Sequence, residues 1–421
     1  MFRVLVAVFL SLSLWTAAAC RQLPSAVVLI SFDGWRWDYQ QKAPAPNLQK
    51  LIARGVRAER LIPSFPSKTF PNHYSVVTGL YPAHHGIVAN NIFDPESGLK
   101  FGLSDRQAVG DSRWWGGEPI WVTAQRQGKR AATLFWPGSE APIGGMRPRF
   151  WSLYDGKMTN EARVDQVLTW LSLPAAERPS FITLYFSDTD DAGHDYGPDS
   201  EAVRKAVGRL DGLLGRLLDG LQSRGIGDRV NIVITSDHGM AATSQDRIIV
   251  IDDYLDASTV DIVDVNPTIG IVPKTATADE VYARLEKAHP HLRVYRREQT
   301  PEHWRYRDNP RIPPIVGVAD DGWVVLRQRP GQPRPVLKSG GAHGYDPRAL
   351  SMHGLFVAAG PAFRRGVTVP PFENVHIYNA LAAALQVTPA ANDGDYTVAN
   401  ELLIDRLARP AATPAVTPSS R

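Results

Sequence analysis

The chain is short of cysteine and of clustered charge, and each shortage removes a class of protein. Cys20 is the only cysteine among 421 residues, so no disulfide can form within the chain. That excludes the small cross-linked secreted scaffolds, and in an exported protein it fits a bacterial periplasm better than a eukaryotic exterior. The net charge is only +3, and Lys and Arg are scattered along the chain instead of forming a stripe. A large nucleic-acid-binding surface is therefore not indicated. No internal repeat is visible. The one apolar stretch at the amino end, Val4 to Leu14, is shorter than the ~20 residues a membrane-spanning helix needs.

That stretch follows Arg3 and precedes Ala17-Ala18-Ala19, a small-residue cleavage pattern, so residues 1–19 read as an export signal peptide. Cys20 then stands at the mature start, either inert or as the site of a lipid anchor. Ala17, where lipoprotein leaders carry leucine, favours the inert reading. Either way the protein is expected to be periplasmic or secreted. At the other end, residues 409–421 are Pro, Ala, Thr and Ser with little to bury, and a disordered tail is expected.

Between these ends, 43% hydrophobic and 21% charged residues describe a globular chain able to bury a large core. Three apolar runs read as buried strands: Ala26 to Phe32, Phe181 to Phe186, and Val230 to Ser236. Helical spacing covers 46–54 up to Gly55, 159–173 behind the caps Thr159 and Asn160, and about 199–225. In the last of these, Val203, Val207, Leu210, Leu214, Leu217 and Leu221 recur every three or four residues. Such alternation predicts an α/β sandwich, with a mostly parallel central sheet and helices on both faces. From about 261 to 335, Pro273, Pro290, Pro301, Pro310, Pro313 and Pro314 break the pattern, and this stretch is expected to be a small inserted subdomain. The catalytic domain as a whole is expected to span 25–405.

Each apolar run ends in acids or histidine: Asp33 after the first, Asp188, Asp190, Asp191 and His194 after the second, Asp237 and His238 after the third. Open α/β sheets keep their active sites at the carboxyl ends of their strands, and carboxylates with imidazoles are divalent-metal ligands. Asp190 and His194 lie four residues apart, so one helical turn lets both reach one ion. Four acids between Asp188 and Asp195 repel one another unless solvent or cations intervene. His343 between Ala342 and Gly344 is a further candidate ligand. His73, His84, His85, His353 and His376 lack strand-end acids and read as core or surface residues. Together the strand ends suggest a metal-dependent hydrolase.

A nucleophile is still required. In Phe65-Pro66-Ser67-Lys68-Thr69-Phe70-Pro71-Asn72-His73-Tyr74, Pro71 suits a first helical turn and puts Thr69 at the helix start. There the N–H groups favour an anion, although taken alone the segment reads more readily with Thr69 as an N-cap.

This segment occurs with Asp33-Gly34, His85-Gly86-Ile87 and Asn90, Gly117-Glu118-Pro119-Ile120-Trp121, Phe135-Trp136-Pro137-Gly138-Ser139, Gly193-His194, Ser236-Asp237-His238-Gly239-Met240 and Gly341-Ala342-His343-Gly344, in that order. The set resembles the nucleotide pyrophosphatase/phosphodiesterase family of the alkaline phosphatase superfamily, over about residues 25 to 400. The resemblance implies an alkaline-phosphatase-like fold and two zinc ions. One would be held by Asp33, Asp237, His238 and Thr69, the other by Asp190, His194 and His343. It also implies that Thr69 attacks phosphorus to give a nucleotidylated enzyme that water hydrolyses, with Asn90 donating to a phosphate oxygen. Phe70 and Tyr154 match positions that clamp a base.

Substrates implied are nucleoside triphosphates, dinucleotides and other phosphodiesters, cleaved to nucleoside monophosphates. No arginine adjoins Thr69 to bind two terminal phosphate oxygens, which favours diesters over monoesters. A lysophospholipid or choline-headgroup phosphodiesterase would keep the same ligands and lack the base clamp. A sulfatase would need a modifiable cysteine or serine, and the only cysteine lies in the leader region. A catalytically silent metal-binding protein would not need Thr69 and Asn90.

Overall fold

The computed structural model describes residues 26–329, 331–338 and 340–407. The expected export signal, Cys20 and the expected disordered tail lie outside the described residues. An eight-stranded sheet forms the centre. Its strands, in chain order, are β1 (Ala26–Phe32), β2 (Val56–Ala58), β3 (Ala131–Leu134), β4 (Phe150–Trp151), β5 (Phe181–Phe186), β6 (Val230–Thr235), β7 (Phe356–Ala359) and β8 (Val367–Val369). Across the sheet they run β8-β2-β7-β6-β1-β5-β3-β4. β1 lies between β5 and β6 and is parallel to both. Only β7 opposes its neighbours, pairing antiparallel with β6 and β2.

Every residue of β1 and β6 is buried, which is why both read as continuous apolar runs and not as alternating ones. Val27 and Leu29 join one core, and Val28, Ile30 and Phe32 join another on the opposite face. Helices α1 (Pro46–Ala53), α4 (Asn160–Leu171) and α6 (Glu201–Ser223) cover the second core. All six apolar residues named above in α6 are buried there. The first core is covered by α2 (Thr69–Thr78), α3 (Ile120–Arg126) and α7 (Ile377–Leu385). Thr159 caps α4 by accepting from the Ala162 N–H, and Ser200 caps α6. Between β6 and β7 stands a separate four-stranded antiparallel sheet of Val260–Asp264, Thr268–Pro273, Ile315–Ala319 and Leu292–Arg296, with the helix Ala278–Leu285 against it. No helix of the described residues is long and apolar enough to cross a membrane.

Candidate active site

Five side chains that follow the carboxyl ends of β1, β5 and β6, together with His343, form two trios. Asp33, Asp237 and His238 form one; Asp190, His194 and His343 form the other; within each, the ligand atoms lie within 4.8 Å of one another. Asp190 and His194 sit on the short helix α5 (Asp188–Tyr196) that begins two residues after β5. His343 comes from later in the chain, directly after the short strand Gly341–Ala342. Its imidazole stacks on that of His238 with centroids 3.5 Å apart, joining the trios.

All three imidazoles are oriented alike. His238 Nδ1 faces the Gly239 carbonyl at 2.8 Å, His194 Nδ1 the Gly341 carbonyl at 3.0 Å, and His343 Nδ1 the Ser67 carbonyl at 2.9 Å. A carbonyl oxygen can only accept, so each Nδ1 carries hydrogen and each Nε2 is turned towards the acids. Metal-binding histidines are held in this way. Nε2 of His238 is 2.9 Å from Asp237 Oδ2 and 3.6 Å from Asp33 Oδ1. Nε2 of His194 and of His343 lie 3.5 and 3.7 Å from Asp190 Oδ1. Those same three oxygens, Asp33 Oδ1, Asp190 Oδ1 and Asp237 Oδ2, are buried without a hydrogen-bond donor. Lone pairs converging on lone pairs in a buried site require a shared positive charge, so the residues fit divalent cations.

The titration pattern has the same origin. Burial, followed by the charges of Asp237 and Asp190, pushes the Asp33 carboxyl well above the usual range. Burial also raises Asp190. Asp237 is pulled the other way: burial opposes its charge, but His238 and His73 outweigh it. Burial disfavours the charged form of His238, yet Asp237 raises it, while burial and the neighbouring histidines hold His343 well down. Close approach makes Gly34 necessary, since its φ is +65° and an added Cβ would come within 2.8 Å of Asp190 Cα.

Thr69 is the first residue of α2, and Lys68 takes the N-cap position, so the N-cap reading of Thr69 is not realised. Its Oγ1 lies 3.4 Å from His238 Nε2. Lys68 turns away into a buried ion pair with Asp264 of the second sheet, and Asp264 also accepts from Asn91 Nδ2 at 3.2 Å. Asn90 accepts the Phe70 N–H on its Oδ1 at 3.0 Å, which leaves its amide nitrogen as the free end.

A cavity of about 460 Å³ opens over this arrangement, lined among others by Thr69, Asn90, Phe70, Tyr154 and both acids Asp33 and Asp190. Phe70 packs on Phe101 and Trp115, and Tyr154 packs edge-on against Phe135, so each ring is braced from behind. Arg106 also lines the cavity, but its guanidinium is engaged by both carboxylate oxygens of Glu140 at 2.6 Å. Neither Arg106 nor Lys68 is therefore disposed to clamp a terminal phosphate.

Sequence reasoning passed over three neighbours. Tyr185 donates its hydroxyl to Asp33 Oδ2 at 2.7 Å. His73, read above as core or surface, is buried but lies 3.3 Å from Asp237 Oδ2 and 2.9 Å from the Thr69 carbonyl. Its spacing four residues after Thr69 was the available signal. Glu140, which also accepts the Tyr154 N–H at 3.0 Å, had none.

Comparison with known proteins shows the family of the chain. A family model described as type I phosphodiesterase / nucleotide pyrophosphatase matches residues 27–346. Human ectonucleotide pyrophosphatase/phosphodiesterase family member 5 is 37% identical over 400 residues, covering 95% of this chain and 82% of its own length. The bis(5'-adenosyl)-triphosphatase enpp4 of Xenopus laevis is 39% identical over 370 residues, covering 87% and 79%. Among solved structures, an inactive form of the murine family member 5 in complex with AMP superposes with a TM-score of 0.85 at 37% identity, covering 90% of this chain and 100% of that one.

Proposed function

The chain belongs to the type I phosphodiesterase / nucleotide pyrophosphatase family, and from that premise we propose that it cleaves nucleoside triphosphates, dinucleotides and nucleotide diesters to release nucleoside monophosphates. It is a hydrolase of phosphodiester and pyrophosphate bonds. The observation that carries the assignment is the part-buried Thr69 hydroxyl at a helix start, 3.4 Å from His238 and lining the cavity.

In this reading Asp33, Asp237 and His238 with Thr69 hold one zinc ion, and Asp190, His194 and His343 hold a second. When bound, the ions supply Lewis acidity that eases loss of the hydroxyl proton and neutralises phosphate charge. Thr69 Oγ1 forms the bond to phosphorus as the bond to the departing oxygen breaks, leaving a threonine-nucleotidyl ester. Water then cleaves that ester and restores the hydroxyl. The first N–H groups of α2 favour the anionic phosphate, and the Asn90 amide donates to its nonbridging oxygen as charge develops. Phe70 and Tyr154 hold the base by stacking, which tolerates any base because each has a π-face. The absence of an arginine clamp beside Thr69 supports diesters over monoesters.

Residues 25–405 act in this proposal as one catalytic domain, with about 261–335 as an inserted subdomain. The leader-like start supports an exported, periplasmic or secreted enzyme.

The test is steady-state turnover of ATP, a nitrophenyl nucleotide diester, nitrophenyl phosphate and lysophosphatidylcholine by the parent and Thr69→Ala. The nucleotide substrates are expected to be far better than the monophosphate, and the variant is expected to lose turnover while keeping metal. A preference for lysophosphatidylcholine would replace the nucleotide reading with the lipid one. Diester turnover near the parent rate in Thr69→Ala would remove the covalent route.

A further inference from the structure

We propose that the pole of the molecule opposite the catalytic cavity docks on an anionic lipid bilayer. The parallel strands place every catalytic candidate at one end and leave the other end to the residues that precede them. Arg130 immediately precedes β3, Arg149 immediately precedes β4, and Arg178 lies three residues before β5. Lys129 and Arg147 complete the group. Scattered in sequence, these five cations line two adjoining clefts of about 260 and 380 Å³ that share Lys129 and Arg130. The seven residues of β1 put this pole about 20 Å from the trios.

Among the described residues no ion pair neutralises the patch. Nearby Arg126 is ion-paired with Glu118, but among the described residues none of the five meets a carboxylate. Arg147 and Arg178 donate only to the backbone carbonyls of Glu140 and Leu173. Cations that follow a helix end are explained by the helix dipole. That accounts for Lys129 after α3, but Arg147 and Arg149 precede a strand and follow no helix end.

Two observations choose a bilayer over other polyanions. Trp151 is 37% exposed with the Arg147 guanidinium 4.9 Å above its ring, and an amphipathic indole beside a cation suits the headgroup layer. Ala26, six residues after Cys20, lines one of the two clefts. Six extended residues reach at most ~20 Å, so whatever holds the chain at Cys20 holds it beside the patch. A surface bound there meets the cations and leaves the catalytic mouth facing away from it.

The test is co-sedimentation of the purified full-length protein with phosphatidylcholine vesicles, with and without phosphatidylglycerol, at low and high salt. Binding is expected to need the anionic lipid and to fall as salt rises. Each cation near such a surface strengthens binding roughly fivefold, so the combined Lys129→Gln, Arg130→Gln and Arg149→Gln substitution is expected to weaken it about a hundredfold. Diester turnover should be unchanged, which shows that the variant is folded. Arg149→Glu alone, an exposed single change, should weaken binding at least fivefold. Equal binding to neutral and anionic vesicles, or parent-like binding by these variants, overturns the proposal. So does a protein that ignores vesicles and binds RNA or heparin through the same residues.

Discussion

Removal of one oxygen atom, by Tyr185→Phe, tests whether the buried acids are built to hold cations. The Tyr185 hydroxyl donates to Asp33 Oδ2 at 2.7 Å, and Asp33 Oδ1 has no donor at all. In the variant the aromatic ring still packs near Tyr154 and His73, but the carboxylate keeps no hydrogen-bonded proton. A hydrogen bond to a charged group contributes about 1.5–3 kcal/mol, equivalent to roughly 10–150-fold in an equilibrium constant. Burial and the charges of Asp237 and Asp190 already hold Asp33 well above the usual carboxyl range, with the Tyr185 hydroxyl as the opposing influence. Its loss raises Asp33 further, so protons compete better with metal and the affinity shifts to higher pH. Metal affinity, measured by competition with a chromophoric chelator, is expected to fall within the range given above, with most of kcat recovered at saturating zinc. Tyr74→Phe, whose hydroxyl meets only the Gly116 carbonyl, serves as the control for a purely structural loss. Zinc affinity within twofold of the parent at every pH would refute the reasoning.

Asn90→Ala is expected to lower kcat for the nucleotide diester by about 10²–10³-fold, the usual cost of a lost oxyanion donor, while KM moves little. Tyr154→Ala should raise KM for nucleotides by the ~1–3 kcal/mol of a stacked base and leave nitrophenyl phosphate hydrolysis unchanged; equal losses on both substrates would argue against a base clamp. His85 gives a pH signature in stability. Burial pushes its imidazole down to about 3, where Nε2 meets Ser75 Oγ and Nδ1 accepts the Ile87 N–H. Between there and the ordinary value of ~6.5 the unfolded chain binds a proton that the folded one refuses, so stability is full above the window and declines as pH falls through it. Denaturant titrations of His85→Gln should show that slope reduced by about one proton; an identical slope would contradict the assignment.

Much of the sheet centre could be read from the chain because burial on both faces writes itself as unbroken runs of Val, Ile and Leu. Five of the six candidate ligands were legible for the same reason, since a strand's end marks where its last residues emerge. The antiparallel sense of β7 was not legible. It follows the second sheet without a crossover helix, and only such helices oblige a strand to run parallel. Tyr185 was hidden within an apolar run, where an aromatic reads as packing and its hydroxyl's partner comes from another strand. Lys68 carried no directional signal, because the acid that claims it lies 196 residues away. The basic pole was invisible for a similar reason: its members come from three separate segments, and only the parallel topology gathers them.

Asp264 belongs to a layer that contributes no residue to either trio, yet it grips the neighbours of both Thr69 and Asn90. The segments that carry Thr69 and Asn90 are thus steadied from outside by a single side chain. Stripping that carboxylate leaves the Lys68 ammonium stranded in the interior, at a cost of about 3–5 kcal/mol. The second sheet therefore acts as a splint. Transplanting or trimming it to alter substrate range will succeed only where the graft returns an acid to that spot, however freely the remaining loops are redrawn.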